Sequence, residues 1–151
     1  MTQLPVEEAP TLRHDEPVAG AVRTLLSSGL PALPVVGSNG LLVGLFGERE
    51  FMAALFPGYV GELHSAAFVS GQLDEALEKR AACAREPVAQ HMNTDRVSVD
   101  EDFSDVGLAE VFLHHRVLVV PVVRDRRPLG VIRRTSFFRR LAELFLEGGR
   151  P

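Results

Sequence analysis

Cysteine, histidine and serine are the residue types in this chain that could carry out catalysis or hold a metal ion. His14, His64 and His91 lack a metal-binding spacing such as His-x-x-x-His, so no metal site is predicted. Cys83 is the single cysteine, and with no activating partner evident nearby we expect it to be partly buried rather than reactive. The sequence contains neither a glycine-rich phosphate loop nor a serine in a nucleophile elbow. It therefore predicts no catalytic residues and no enzyme.

Two basic groups could contact phosphate. His114-His115-Arg116 ends a predicted helix, where positive charge complements the helix dipole, and this role is favoured over a phosphate contact. Residues 124–140 contain seven arginines and one acid, Asp125, so nucleic-acid binding is an alternative. The net charge of −4 argues against it, and Phe137 and Phe138 are expected in the core rather than free to stack on bases. We therefore do not expect nucleic acid as a partner.

A nearby acidic run offers a simpler counterpart to these arginines, through self-association or docking between domains. Its members are Asp100, Glu101, Asp102 and Asp105.

An internal repeat sets the order of the elements that must position any site. Residues 10–36 match residues 97–123 at an offset of 87, and the offset becomes 86 from residue 43 onward. Each copy predicts the order β-α-β-β-α, as follows. The first copy has predicted strands at 11–13, 33–36 and 41–46, with one helix after Asp15-Glu16-Pro17 and another at 48–56. The second copy has predicted strands at 97–99, 118–123 and 129–132, with one helix after Asp102-Phe103-Ser104 and another at 135–146.

The fold class predicted from this order is α/β (α+β), with two units related by pseudo-two-fold symmetry. The first helix of copy one is expected to bury one face, made of Val18, Ala19, Val22, Leu25 and Leu26. Neither copy could bury its apolar surface alone, so the copies are expected to pair.

The predicted division of the 151 residues is unit 1 at 1–56, an inter-repeat segment at 57–90, and unit 2 at 91–151. Pro57-Gly58 would end the preceding helix, and Ser70 could cap a helix running to Arg85, so the segment is expected to be partly helical. The longest apolar runs are far shorter than the roughly 20 residues of a membrane span, and no secretory signal is evident. We expect a cytoplasmic location.

The duplicated order resembles a pair of CBS domains, known as a Bateman module. Each copy has an apolar-Pro-Val-Val strand (33–36 and 120–123) and a Gly-apolar-apolar-x-x-x-x-Phe second half (44–51 and 130–137). The start of the second copy, Val88-Ala89-Gln90-His91-Met92, also resembles the start of a CBS unit. The resemblance implies a regulatory module that binds an adenosine-containing ligand between the units: AMP, ADP, ATP, S-adenosylmethionine or NAD.

In this family a Thr/Ser-x-x-Asp stretch enters the second helix and binds the ribose and phosphates. Here it is Gly47-Glu48-Arg49-Glu50 in copy one and Arg133-Arg134-Thr135-Ser136 in copy two, so both copies depart from the pattern. Gly47 would leave its backbone N–H open, Glu50 could bind the ribose diol, and Arg133 could contact a phosphate. The ligand-binding residues that the resemblance implies are Thr11, Leu33, Pro34, Gly47, Glu50, Ser98, Val120, Pro121, Arg133 and Ser136.

The residues ahead of each proline suggest which part of a nucleotide the cleft suits. Pro31, Ala32, Leu118 and Val119 are all non-polar, which favours a neutral adenosine group over a triphosphate.

The resemblance further implies a homodimer and an unidentified effector protein in trans, with no covalent cofactor. Two alternatives stay open: a ligand-free dimerisation scaffold and, more weakly, an arginine-rich nucleic-acid binder.

Overall fold

The computed structural model of the chain describes residues 6–56, 72–95 and 97–148. Within them lie two three-stranded sheets and five α-helices, so the fold is mixed α+β with a tandem repeat, as predicted. Unit 1 consists of β1 Leu12–Arg13, α1 Val18–Ser28, β2 Ala32–Val36, β3 Leu42–Gly47 and α2 Glu48–Leu55. Unit 2 consists of β4 Val99–Asp100, α4 Asp105–His114, β5 Val119–Arg124, β6 Arg127–Arg133 and α5 Arg134–Gly148. Between them lie α3 Gln72–Lys79 and two 3₁₀ turns, Ala81–Arg85 and Val88–Gln90.

The two sheets have the same topology and register. In each, the short first strand runs parallel to the central strand, which pairs antiparallel with the third. Pro34 pairs with Leu45 in one sheet, and Pro121 pairs with Val131 in the other. Both central strands also shift register at the same place. The shift falls between Val35 and Val36 in β2, and between Val122 and Val123 in β5. The predicted duplication is therefore confirmed.

Each unit's leading segment crosses to the other unit. Glu7 exchanges two backbone hydrogen bonds with Val131 on β6, both 2.9 Å long. Asn93 makes the corresponding pair with Leu45 on β3, at 2.8 and 2.9 Å. Because both partners are related by the same sequence offset, the exchange obeys the pseudo-two-fold symmetry. It brings the start of unit 2 to the end of β3, beside the helix that carries Glu50.

This crossing explains the glycine that begins each Gly-apolar-apolar motif. A Cβ atom on Gly44 would overlap the backbone oxygen of Asn93. A Cβ on Gly130 would likewise overlap the backbone oxygen of Glu7. The motif glycines therefore admit the crossing segments, because any larger residue would push the backbone away.

Helix α1 buries Val18 and Leu25 and packs Val22 against the core, as predicted, but it does not bury Leu26. Val18, Ala21 and Leu25 are buried, whereas Leu26 is 78% exposed. The prediction for Leu26 was wrong because the helix contacts the core through a narrower stripe than the apolar residues occupy. Its counterpart on α4, Leu113, is 84% exposed, so both units present an apolar residue at the same place.

The inter-repeat helix is shorter than predicted. Helix α3 ends at Lys79, and the chain continues as a 3₁₀ turn to Arg85 rather than as α-helix. Pro57-Gly58 and Ser70 lie outside the described residues. In the described part of the chain, no helix is long and apolar enough to cross a membrane.

Candidate ligand-binding site

Glu50 lies in the first turn of α2 and is half-buried at the seam between the units. Its Oε1 accepts a hydrogen bond from the backbone N–H of Gly47 at 2.9 Å, which caps the start of the helix. Burial raises the pKa of Glu50, although hydrogen bonds from the backbone N–H groups of Gly47 and of Glu50 itself, together with the charge of Arg49, act in the opposite direction. The carboxylate of Glu50 thus caps the start of the helix.

Gly47 serves the packing of the helix start. The backbone N–H that we expected to be open to a ligand instead donates to Glu50, so that expectation was wrong. A Cβ at this position would overlap the backbone oxygen of Pro31 and the side chain of Ala32. The glycine therefore replaces the family's hydroxyl because β2 passes too close for a side chain.

An apolar cavity of about 200 Å³ opens beside Glu50. It is lined by Pro31, Ala32, Leu45, Arg49, Glu50, Asn93, Arg116, Val117 and Leu118. Both units contribute, because the start of unit 2 and the residues ahead of β5 close the side opposite α2. Three of the four non-polar positions identified from the sequence line it, namely Pro31, Ala32 and Leu118.

A polar lobe of about 380 Å³ adjoins this cavity and shares Glu50 with it. Its lining is Arg49, Glu50, Asn93, Asp95, His114, His115, Arg116 and Val117. The sequence favoured helix capping over a phosphate contact for the basic group at 114–116, and it did not place the group near Glu50. The pseudo-two-fold pairing could have revealed this, since the end of α4 must face the start of α2 across the seam.

The equivalent cleft of unit 2 contains an ion pair. Arg133 occupies the position of Gly47, and its Nε donates to both carboxylate oxygens of Glu7, at 2.9 and 3.1 Å. Glu7 itself is the pseudo-symmetric counterpart of Asn93. The guanidinium that we expected to contact a phosphate is therefore partly neutralised within the chain.

The ten residues predicted to bind ligand do not converge on one cavity. Arg133 and Ser136 line a surface groove with Arg139, Arg140 and Glu143. Ser98 lines a separate cavity of about 330 Å³ at the start of β3, together with Thr94 and Arg126.

The remaining predicted residues lie on or beside the strands. Leu33, Pro34, Val120 and Pro121 are buried in the central strands, and Thr11 is exposed just before β1. The structure brings Gly47 and Glu50 together in one helix start, and among the predicted residues it is Glu50 that lines the seam cavity.

The arginine-rich stretch is partly paired with the acidic run. Arg124 donates to both carboxylate oxygens of Glu101, at 2.5 and 2.7 Å. Arg140 lies 3.3 Å from the carboxylate of Asp105. Both pairs form within unit 2 itself, whereas the sequence led us to expect self-association or docking between domains for these charges.

The two phenylalanines of this stretch differ in environment. Phe137 is buried and stacks on Phe112, with ring centroids 5.6 Å apart. Phe138 is 69% exposed, so its predicted place in the core was wrong. Consecutive residues on a helix point in directions about 100° apart, and one of the two must face outward.

Cys83 lies beside two potential partners that the sequence did not reveal. It is buried, and its Sγ lies 3.9 Å from Nε2 of His91. The same nitrogen lies 2.9 Å from Oε1 of Glu86. Burial raises the pKa of the Cys83 thiol, and the Glu86 carboxylate raises it further. Cys83 is therefore buried, in line with the expectation, and its neighbours His91 and Glu86 were not evident from the sequence.

Two pseudo-symmetric β-α-β-β-α units with a cavity at their seam define a class of duplicated regulatory modules. A model of the CBS domain family matches residues 1–57 and 88–143, so the chain belongs to the CBS domain family. CBS domains are regulatory modules. Comparison with curated proteins yields no match.

Similar solved structures have the same fold. The CBS domain of a CBS domain-containing membrane protein from Sphaerobacter thermophilus is 24% identical, with 91% of this chain and 87% of that chain covered and a TM-score of 0.66. A CBS domain-containing protein of unknown function from Kribbella flavida is 21% identical, with 91% and 95% covered and a TM-score of 0.67. CBSX2, in a crystal structure with AMP, is 19% identical, with 90% and 89% covered and a TM-score of 0.63.

Proposed function

We propose that this chain is a non-enzymatic sensor that binds an adenosine-containing ligand in the seam cavity beside Glu50. The ligand classes are AMP, ADP or ATP, S-adenosylmethionine and NAD. The observation that carries the proposal is the joint lining of one cavity by Glu50, the crossing segment at Asn93 and apolar residues from both units. The AMP bound to CBSX2, a protein of the same fold, supports the ligand class.

The apolar lobe suits the adenine ring. A flat, weakly polar ring is favoured between aliphatic side chains, and Pro31, Leu45 and Leu118 supply them from both units. Glu50 lines both this lobe and the polar one, so its carboxylate can accept hydrogen bonds from a ribose diol.

The polar lobe favours a ligand with few phosphates. Arg49 and Arg116 are balanced there by the carboxylates of Glu50 and Asp95. A nearly neutral lobe can bind one phosphate, with His115 adding a further donor, but it offers little to offset the charge of three. We therefore expect AMP to bind more tightly than ATP.

We propose one adenosine site per chain. At the equivalent position of unit 2, Ser136 lacks a carboxylate for the ribose, and the Arg133–Glu7 pair already uses the cation. A ligand there would have to separate this pair without gaining a charged ribose contact.

Signalling would follow from the shared lining of the cavity. A ligand that contacts both α2 and the crossing segment at Asn93 binds best to one arrangement of the units, and so shifts the population toward it. An effector protein would recognise that arrangement. We retain the three-part division at 1–56, 57–90 and 91–151 as the organisation of this module, and a cytoplasmic location as our proposal.

A homodimer would cover the apolar side chains that both units expose at corresponding positions. Leu26 on α1 corresponds to Leu113 on α4, and Met52 on α2 corresponds to Phe138 on α5; all four are more than half exposed. Exposed apolar groups that repeat with the pseudo-symmetry favour a symmetric partner, namely a second copy of the chain. The same observation favours the second candidate function, a dimerisation scaffold that binds no ligand.

Nucleic-acid binding is the weakest of the three functions. The pairing of Arg124 and Arg140 with acidic side chains reduces the positive charge of the arginine-rich stretch. A nucleic-acid binder would show retention on heparin that falls steeply with salt, and we expect no such retention.

Thermal melting with a ligand panel separates sensor from scaffold. We expect the melting temperature to rise with AMP concentration, because a ligand that binds only the folded chain stabilises it by mass action. Adenosine, ATP, NAD and S-adenosylmethionine complete the panel, with GMP as the control for the base. A melting temperature unchanged by every member at millimolar concentration would support the scaffold instead.

A further inference from the structure

We propose that Cys83, Glu86 and His91 form a binding site for a divalent transition metal, with zinc as the metal that best fits their chemistry. The three side chains offer one sulfur, one oxygen and one nitrogen, and these atoms all lie within 4.8 Å of one another. They come from a short stretch, Cys-x-x-Glu-x-x-x-x-His, that contains the two 3₁₀ turns between the repeats. This inference does not depend on the adenosine site.

The distances are close to those of a metal centre. Zinc bonds of about 2.3 Å to sulfur and about 2.0 Å to nitrogen or oxygen, in a tetrahedron, place ligand atoms about 3.3–3.6 Å apart. Sγ of Cys83 and Nε2 of His91 are 3.9 Å apart, and Nε2 and Oε1 of Glu86 are 2.9 Å apart. These two distances differ from the tetrahedral values by a few tenths of an ångström, and the sulfur of Cys83 and the carboxylate of Glu86 lie within 4.8 Å of each other.

The donor types also fit. A thiolate and an imidazole favour zinc and its neighbours over magnesium or calcium, and three protein ligands leave the fourth position for water. Cys83 is buried, the His91 side chain is 15% exposed and that of Glu86 is 34% exposed. The cluster is thus open on the Glu86 side, from which a hydrated ion could enter.

Arg80 is the basic group that also contacts this cluster, and it has an alternative contact. Its guanidinium lies 3.5 Å from Oε1 of Glu86, and its Nε donates to the backbone oxygen of Ala54 at 2.9 Å. If Glu86 turned toward a metal, Arg80 would keep the bond to Ala54. A dication with a thiolate, a carboxylate and this guanidinium leaves a net charge of about +1, which a partly exposed site tolerates.

A metal here would join the inter-repeat segment, which supplies Cys83 and Glu86, to His91 at the start of unit 2. That segment is already hydrogen-bonded to the start of α1. The Val18 N–H donates to the backbone oxygen of Glu86, and the Val88 N–H donates to the backbone oxygen of Glu16, each at 2.9 Å. His91 is two residues before Asn93, which lines the seam cavity. Metal binding would therefore hold the crossing segment in the position that the cavity requires.

The alternative is a metal-free ion pair in which Glu86 joins His91 and Arg80 while Cys83 only fills space. Cobalt(II) distinguishes the two, because cobalt bound to a thiolate produces a charge-transfer absorption in the near ultraviolet, and Cys83 is the single cysteine in the chain. The full chain, treated with EDTA and then freed of chelator, would be titrated with Co²⁺ and separately with Zn²⁺ by calorimetry.

We expect one Zn²⁺ per chain, displacement of the cobalt band by zinc, and a melting temperature raised by a few degrees. Cys83→Ala should abolish the band and weaken zinc binding more than about 100-fold, and Glu86→Gln should weaken it about 10-fold. Glu78→Gln, on the exposed side of α3, should change neither and serves as the matched control.

Cobalt and zinc titrations of the unmodified chain test the proposed metal site even if a variant fails to fold. Absence of the cobalt band, or of saturable zinc binding below about 100 μM, would refute the site. Zinc binding that appears without the band would place the metal elsewhere and would refute it equally.

Discussion

Replacing Glu50 by glutamine should weaken AMP binding while leaving the fold intact. Glutamine keeps the oxygen that accepts the Gly47 N–H at 2.9 Å, so the start of α2 remains capped. What is lost is the negative charge of a carboxylate that lines the cavity. Hydrogen bonds to a charged group are worth about 1.5–3 kcal/mol, so the dissociation constant should rise about 10- to 150-fold.

Glu48→Gln is the matched control for this substitution. Glu48 lies in the same first turn of α2 and is exposed, and it is absent from the lining of both lobes. It removes the same charge from the same helix start, so any effect of net charge or helix dipole is shared. Calorimetry of the two variants side by side should show a loss for Glu50→Gln alone. Equal affinities in the two variants would refute the role of Glu50.

The raised pKa of Glu50 adds a pH dependence to this prediction. Burial favours the protonated carboxyl, so the group takes up its proton at a higher pH than an ordinary glutamate. AMP binding should therefore weaken as the pH falls through the raised folded pKa. By linkage, the carboxyl's contribution to folding stability is lost as the pH rises from the unfolded pKa to the folded one. Glu50→Gln should remove both slopes, and a slope that persists in the variant would assign it to another group.

The other predictions concern the phosphate, the crossing segment and the dimer. Arg116→Gln should weaken AMP binding about 5-fold and leave adenosine binding unchanged, since an exposed cation contributes about 1 kcal/mol. Equal losses for both ligands would exclude a phosphate contact. Gly130→Ala should lower the free energy of unfolding by about 1–3 kcal/mol in denaturant unfolding, because the new Cβ overlaps the backbone oxygen of Glu7. Gly148→Ala is the control and should not lower it, because the space around Gly148 is open. Equal free energies of unfolding in the two variants would refute the steric argument. Leu113→Asp should convert dimer to monomer in sedimentation velocity, whereas Leu129→Asp on β6 should not, and a dimer unaffected by Leu113→Asp would place the interface elsewhere.

Local pattern and duplication were sufficient to predict the elements of this fold. The two apolar-Pro-Val-Val segments form β2 and β5, and the Asn-Gly turn connects β2 to β3, as predicted. The repeat offsets are confirmed by two sheets of the same topology. The exposed faces of α1 and α5 were not predictable in the same way. Which apolar residues of a helix reach the core depends on how the units pack, and Leu26 and Phe138 have ordinary core character in the sequence.

The candidate site was harder to predict because its lining comes from both units. Glu50 could be identified from its position in the family motif. Asn93 joins it through the crossing of the leading segment, and Arg116 joins it through the pairing of the two units, neither of which a local pattern encodes. The same holds for Cys83 and His91, which two consecutive 3₁₀ turns bring within 3.9 Å. A search for histidine pairs at helical spacing misses such a cluster, whereas a search for any Cys, Glu and His within one turn-rich segment would find it.

Calorimetric titration of the full chain with AMP tests the sensor hypothesis most directly, because it measures affinity and stoichiometry together. We expect saturable binding of one AMP per chain, weakened about 10- to 150-fold in Glu50→Gln but unchanged in Glu48→Gln. Two equivalents per chain would contradict the exclusion of the unit 2 cleft by the Arg133–Glu7 pair. No binding at millimolar AMP, with adenosine and S-adenosylmethionine equally silent, would contradict the sensor itself.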